Sequence, residues 1–239
     1  NDRVWAPYFD NKDLCLAVLE PSDGTLERSI LLGSVRDFTS LRRAATPLAL
    51  ADNVVYVASG FGTLFAVDAD DGTPLWAAQY RRDHEMRRGG LSVSRSDWLP
   101  SAPLVSGGLV VLAAPDSPEL LAFSVSDGAF EWNADVSDAA YVIGADGRHL
   151  WLGGSEVTCL KLQDGAEVWT VKLQAPVTVR AARTGDLIHV PTTDGLFTLR
   201  AEDGTALRHQ PVPQGSYPLG NLPAVGPAMR GQTAEPPSQ

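Results

Sequence analysis

Cysteine is almost missing from this chain. Cys15 and Cys159 are its two cysteines, far apart in 239 residues. That count excludes a disulfide framework and a multi-cysteine zinc site, and it leaves both thiols as small apolar core groups. Long apolar runs are missing as well: none approaches the ~18 residues that a membrane helix needs. Positive charge is scarce, with 19 Lys and Arg against 29 Asp and Glu for a net charge of −10. A chain of that sign repels phosphate backbones, so nucleic acid is not an expected partner. No 11-residue window carries a helical stripe.

Motifs with built-in chemistry are also lacking. There is no G-x-S-x-G elbow, P-loop or H-E-x-x-H. His84, His149, His189 and His209 share no metal spacing. The stretch SGFGTLFA, with Gly60 and Gly62, precedes a strand pattern rather than a helix, which makes it a hairpin turn and not a phosphate cradle. The acidic run from Asp68 to Gly72 lacks the spacing and terminal glutamate of a calcium loop; its aspartates serve the turn. The sequence therefore nominates no catalytic, cofactor-binding or metal residue, and no cofactor. The chain opens at Asn1 without a methionine or a signal core, which reads as a processed chain or a piece of a longer one.

What is present is turns and short apolar strands. Hydrophobic residues make up 44%, with 22 Gly and 17 Pro. That is enough for a packed core, in a chain of the size of one all-β domain. Asp-Gly turns recur at Gly24, Gly72, Gly128, Gly165 and Gly204, at intervals of 48, 56, 37 and 39 residues. Four residues beyond each glycine stand Arg28, Trp76, Trp132, Trp169 and Arg208, so three of the six tryptophans keep one register. Each turn follows a short apolar strand, such as GTLFAVDA. A β-branched run comes before that (VVYVAS from Val54, LVVLAA from Leu109, LWLGG from Leu150, LIHVPT from Leu187). A third run lies earlier still (TPLAL from Thr46, APLVS from Ala102, YVIG from Tyr141, PVTVRAA from Pro176). Four strands joined by tight turns and repeated every ~40 residues predict a β-propeller of about five four-stranded antiparallel blades. Stacking the blades buries their apolar faces and leaves short edges.

The register can be matched to a family. Ala66, Asp68, Gly72 and Trp76 fit the A-x-D-x-x-x-G-x-x-x-W docking motif, and the chain resembles the PQQ-type (quinoprotein-like) β-propeller repeats. Ala122, Gly128 and Trp132 keep three of the features. Gly165 and Trp169 keep two, with Cys159 in the alanine place. The units of Gly24 and Gly204 keep the glycine alone. The resemblance spans roughly residues 1 to 226 and implies that each indole packs on the next blade. Some family members are dehydrogenases that hold pyrroloquinoline quinone on the axis; others have lost the cofactor and act as scaffolds. The dehydrogenases resemble one another in paired cysteines, a Glu/Asn calcium site and an Asp base. Nothing in this sequence matches those, so the resemblance to the scaffold members is the stronger one. It implies a periplasmic or extracellular setting.

The ends leave two readings open. RVWAPYF near the start matches the second strand of a unit, whose first strand is missing. A stretch near Leu219 to Val225 matches a first strand. Either the termini close a five-blade ring, or the chain is a segment of a seven- or eight-bladed one. Residues 1–226 form the propeller repeats, and 227–239 read as a polar Pro- and Ser-rich tail or linker.

Two insertions interrupt the repeat. Gly33 to Ala45 reads as a longer blade-to-blade crossing with a helical turn. Arg81 to Trp98 gathers Arg81, Arg82, Arg87, Arg88 and Arg95 on an otherwise acidic chain, and is the candidate loop for an acidic protein partner. The expected function is a noncatalytic scaffold and protein-interaction module. The alternatives are part of a quinoprotein dehydrogenase, with convergent polar groups at the axis, and a carbohydrate- or surface-binding module. The last would expose Trp5, Trp98 or Trp151.

Overall fold

The turn chemistry sets the strands. At each Asp-Gly turn the glycine takes a positive φ between 70° and 75°, a region that costs glycine nothing and other residues strain. The preceding aspartate caps the bend: Asp71 accepts the Thr73 N–H at 2.8 Å, Asp127 the Ala129 N–H at 3.0 Å and Asp203 the Thr205 N–H at 2.9 Å. Asp68, on the strand before, accepts the N–H groups of Asp70 and Asp71.

The structure is a computed structural model that describes residues 3–35, 46–82, 99, 101–114, 116–136 and 139–212. Among the described residues it contains nineteen strands and no helix. Blade 1 has three strands, β1 (Val4–Asp10), β2 (Asp13–Leu19) and β3 (Leu26–Ser34), in that order. Blade 2 is β4 (Leu48–Ala51), β5 (Val54–Ala58), β6 (Thr63–Asp68) and β7 (Pro74–Gln79). Blade 3 is β8 (Leu104–Ser106), β9 (Leu109–Ala113), β10 (Leu120–Ser124) and β11 (Phe130–Ala134). Blade 4 is β12 (Ala139–Ala145), β13 (His149–Gly154), β14 (Glu156–Lys161) and β15 (Glu167–Lys172). Blade 5 is β16 (Ala182–Thr184), β17 (Leu187–Pro191), β18 (Gly195–Arg200) and β19 (Ala206–Pro211). Every pairing is antiparallel between sequence neighbours, as the repeat predicts. Blade 1 lacks a first strand among the described residues, as its sequence predicts.

The two middle strands of blades 2 and 3, together with β2 of blade 1 and β13 of blade 4, are buried on both faces and so read as continuous apolar runs rather than alternating ones. Val55 and Val57 of β5 pack back against Leu14 and Leu16 of blade 1, while Tyr56 and Ala58 pack forward against Val110 and Leu112 of blade 3. The same parity joins blade 3 to blade 4 through Val111, Ala122, Leu150 and Leu152, and blade 4 to blade 5 through Trp151, Cys159, Ile188 and Val190. Four cores thus stack five blades in a row. The inner strands lie side by side, β4 by β8, β8 by β12 and β12 by β16.

Two expectations on strand extent are refined. In blade 5 the first strand is Ala182–Thr184, later and shorter than the run starting at Pro176. Val177 makes one isolated bridge to Thr192, and the Ala181 N–H donates to the Tyr141 hydroxyl at 2.8 Å instead of to a ladder. Gly33 and Ser34, placed in the first insertion, continue β3. Residues 36–45 of that insertion, the Leu219–Val225 stretch and the tail 227–239 lie outside the described residues.

Candidate interaction surface: interblade seats and the loop rim

The repeated tryptophans sit over the repeated glycines of the following blade. A Cβ on Gly128 would stand 2.5 Å from Trp76 Cε3, one on Gly165 2.7 Å from Trp132 Cε3, and one on Gly204 2.8 Å from Trp169 Cε3. Nothing larger than hydrogen fits there, so glycine is required twice over, by φ and by space. Each indole N–H also donates to the next blade's backbone: Trp76 to Val125 O, Trp132 to Leu162 O and Trp169 to Glu202 O, all at 3.0 Å. The alanine of the motif lies directly opposite the tryptophan in the ladder, Ala66 facing Trp76 and Ala122 facing Trp132. Cys159 takes that place before Trp169. Its thiol is pushed up to about 12, by burial first and by Asp146 second, which keeps it neutral and apolar.

The first interface uses another side chain for the same task. Arg28 lies opposite Val18 in blade 1, and its guanidinium and Ile30 cover Gly72, with a Cβ there 2.9 Å from Arg28 Nη1 and 2.6 Å from Ile30 Cδ1. Hydrogen bonds from Thr73 hold the Asp71 carboxyl below the usual carboxylate range, and Arg28 lowers it further. Arg3 adds a bond from Nη1 to Asp70 O at 2.9 Å. Sequence reasoning missed this role for Arg28; its position four residues after Gly24 was the available signal.

The opposite rim carries the basic loop. Arg81 and Arg82 are described; Arg87, Arg88, Arg95, His84 and Trp98 lie outside the described residues. Arg82 is not a free loop residue. Its Nε lies 3.4 Å from Asp116 Oδ2, its stem packs on Gly62, and Asp116 also accepts from the Gly62 N–H at 2.9 Å and the Tyr80 hydroxyl at 2.8 Å. Burial, and after it the Asp116 charge, drives the Tyr80 phenol well above its ordinary range. The loop therefore leaves from a clamp that ties blade 2 to blade 3. At its other side, the Leu99 N–H donates to Ala140 O of blade 4 at 2.7 Å, so the roots of the loop lie on different blades. Beside Leu99 opens a groove of about 610 Å³, lined by Tyr141, Leu173, Pro176, Val177 and Arg180 among others. Arg180 lies over the Tyr141 ring at 5.4 Å.

A second cavity of about 520 Å³ sits on the turn side between blades 4 and 5. Its charges offset one another: Asp146, Asp186 and Glu202 against Arg148, Arg183 and Arg200. Arg183 stacks on Trp151 at 4.2 Å. Trp151 is buried and donates to Ala201 O at 2.9 Å, while Trp5 packs into the core of blades 1 and 2. Neither offers the exposed ring a sugar-binding face would use. Among the described residues no three of His, Cys, Asp and Glu gather at a point, and both cysteines are lone and buried.

A family model described as outer membrane protein assembly factor BamB matches residues 16–154. The chain belongs to that family of PQQ-type propellers. Its BamB-type relatives include the outer membrane protein assembly factor BamB of Escherichia coli strain K12, 33% identical over 92 residues, which are 38% of this chain and 22% of the relative. The BamB of Alkalilimnicola ehrlichii is 28% identical over 190 residues, 74% of this chain and 48% of the relative. The chain thus spans less than half the length of these relatives. Among solved structures, BamB from Moraxella catarrhalis superposes with a TM-score of 0.58 at 16% identity, covering 87% of this chain and 61% of that one. The quinohemoprotein alcohol dehydrogenase ADHIIG from Pseudomonas putida HK5 gives 0.59 at 15% identity, over 86% of this chain and 41% of that one. A europium-containing methanol dehydrogenase gives 0.59 at 11%, over 88% and 49%. At those identities the solved structures share the propeller fold. No helix among the described residues is long and apolar enough to cross a membrane.

Proposed function

We propose that the chain is a noncatalytic BamB-type propeller segment that serves as a rigid protein-interaction module in a larger periplasmic assembly. The observation that carries this is the family match over residues 16–154, whose curated relatives are outer membrane protein assembly factors. The seats between blades support it, because they fix the blades against one another and so hold the rim loops on a stiff frame. The surface we assign to partner binding is the Arg81–Trp98 loop, rooted at the Arg82–Asp116–Tyr80 clamp. Its excess of arginine on a chain of net charge −10 suits an acidic partner.

A photo-cross-linker at Arg87, in cells that make the chain, tests this. The expected products join the chain to outer membrane assembly proteins. The Arg87→Glu/Arg88→Glu double variant should lower their yield at least tenfold without changing the melting temperature. Products absent from the periplasmic fraction, or unmoved by the charge reversal, would refute the reading.

A further inference from the structure

One place in the repeat changes character between blades 4 and 5. In blades 2 to 5 the second residue of the second strand is Val55, Val110, Leu150 or Ile188. Opposite these, on the inner strand, stand Leu50, Val105, Ala145 and Arg183. Three apolar residues thus give way to an arginine in blade 5, on the face that packs back on the preceding blade. Arg183 stacks on Trp151 at 4.2 Å. That ring is buried and pinned by its N–H bond to Ala201 O, so the guanidinium rests on a fixed plate. The Arg183 Nε is buried and meets no hydrogen-bond acceptor among the described residues. A buried donor left so is costly and points to an acceptor that binds there.

Arg183 lines the cavity of about 520 Å³ between blades 4 and 5, a volume inside the range of about 300–1,000 Å³ typical of small-molecule sites. Some charges of that cavity are already engaged. Asp146 accepts the backbone N–H groups of Arg148 and His149, and Arg200 is paired with Asp203. Four charges are not. Among the described residues, the side chains of Arg148 and Arg183 pair with no carboxylate, and those of Asp186 and Glu202 pair with no cation. The two signs line one cavity but stand too far apart to pair with each other. A simple anion would suit the arginines and be repelled by the carboxylates, and a simple cation would meet the reverse. A ligand that carries both signs satisfies all four. A guanidinium held flat presents a fork that fits a carboxylate by two parallel bonds. We propose that this cavity binds a short zwitterionic peptide, with its carboxylate on Arg183 and its ammonium group toward Asp186 and Glu202. The site lies on the turn side, on the rim opposite the Arg81–Trp98 loop, and so is separate from the surface assigned to the protein partner.

Titration of the isotope-labelled 239-residue chain with trialanine, followed by NMR at the Trp151 indole N–H, tests this. The indole signal should shift and saturate with a Kd below about 1 mM. Blocking either end of the peptide, by N-acetylation or C-amidation, should weaken binding at least tenfold. Arg183→Gln should do the same. Should that variant fail to fold, Asp186→Asn, on an exposed turn, should weaken binding at least tenfold with an unchanged melting temperature. No shift up to about 10 mM trialanine overturns the proposal. So does equal binding of the blocked peptides, or a shift of the same size with inorganic phosphate, since either would show that the cavity does not read both charges.

Discussion

The fit of Trp132 over Gly165 predicts how two substitutions couple. Trp132 is 7% exposed, donates its indole N–H to Leu162 O at 3.0 Å, and lies where a Gly165 Cβ would approach to 2.7 Å. Trp132→Ala removes a large buried ring and its hydrogen bond, and should cost about 3–5 kcal/mol. Trp132→Phe keeps most of the ring but leaves the carbonyl without its donor, and should cost about 1 kcal/mol. Gly165→Ala imposes two penalties. The φ of +70° strains any L residue by about 1–2 kcal/mol, and the methyl displaces the indole, adding about 1–3 kcal/mol of overpacking. Only the second penalty depends on the tryptophan. With alanine at 132, Gly165→Ala should therefore cost about 1–2 kcal/mol, so a double-mutant cycle should report a coupling of about 1–3 kcal/mol. Urea unfolding followed by far-UV circular dichroism on the four proteins measures it. A coupling below about 0.5 kcal/mol would show that the ring does not rest on the glycine, and the docking account would fail at all three tryptophans.

Two further outcomes follow from buried phenols. The phenols of Tyr56, Tyr80 and Tyr141 are all raised by burial, so the folded state holds these protons more tightly than the unfolded one. Their contribution is full below the unfolded value near pH 10 and is lost as pH rises through the folded values. Tyr80→Phe should flatten the loss of stability above about pH 10, and an unchanged alkaline slope in chemical unfolding would refute that assignment. Tyr141→Phe deprives the buried Ala181 N–H of its acceptor and should cost about 1–3 kcal/mol; a change under about 0.3 kcal/mol in urea unfolding would mean that water replaces the hydroxyl.

The blades were legible because their turns are chemical: aspartate then glycine five times over, with a tryptophan at a fixed offset in three of the five. Local bonds from the aspartates and a required positive φ leave the chain little choice at those places. Roles that depend on distant residues were not legible. Arg82 reads as one more charge in a loop, because Asp116 stands 34 residues away. Trp151 reads as a tryptophan outside the register, although its neighbours Leu150 and Leu152 mark a strand covered on both faces. Arg28 departs from the motif in residue type yet fills its geometry, since a flat guanidinium and the Ile30 side chain cover a glycine much as an indole does. In blade 5 the first strand shifted because a tyrosine hydroxyl competed for the Ala181 amide, a tertiary bond that no local pattern announces.

The seats have a consequence for how such chains change length. Blades 2, 3 and 4 each bring one glycine to the interface with the preceding blade and one indole to the interface with the following blade, so no such unit is complete alone and any two consecutive ones match. A copying error that duplicates or deletes a whole unit leaves both new neighbours with compatible halves, and no new contact has to be invented. The units also have a direction. A blade joined in reverse would set glycine against glycine, so growth by repetition preserves polarity as well as fit.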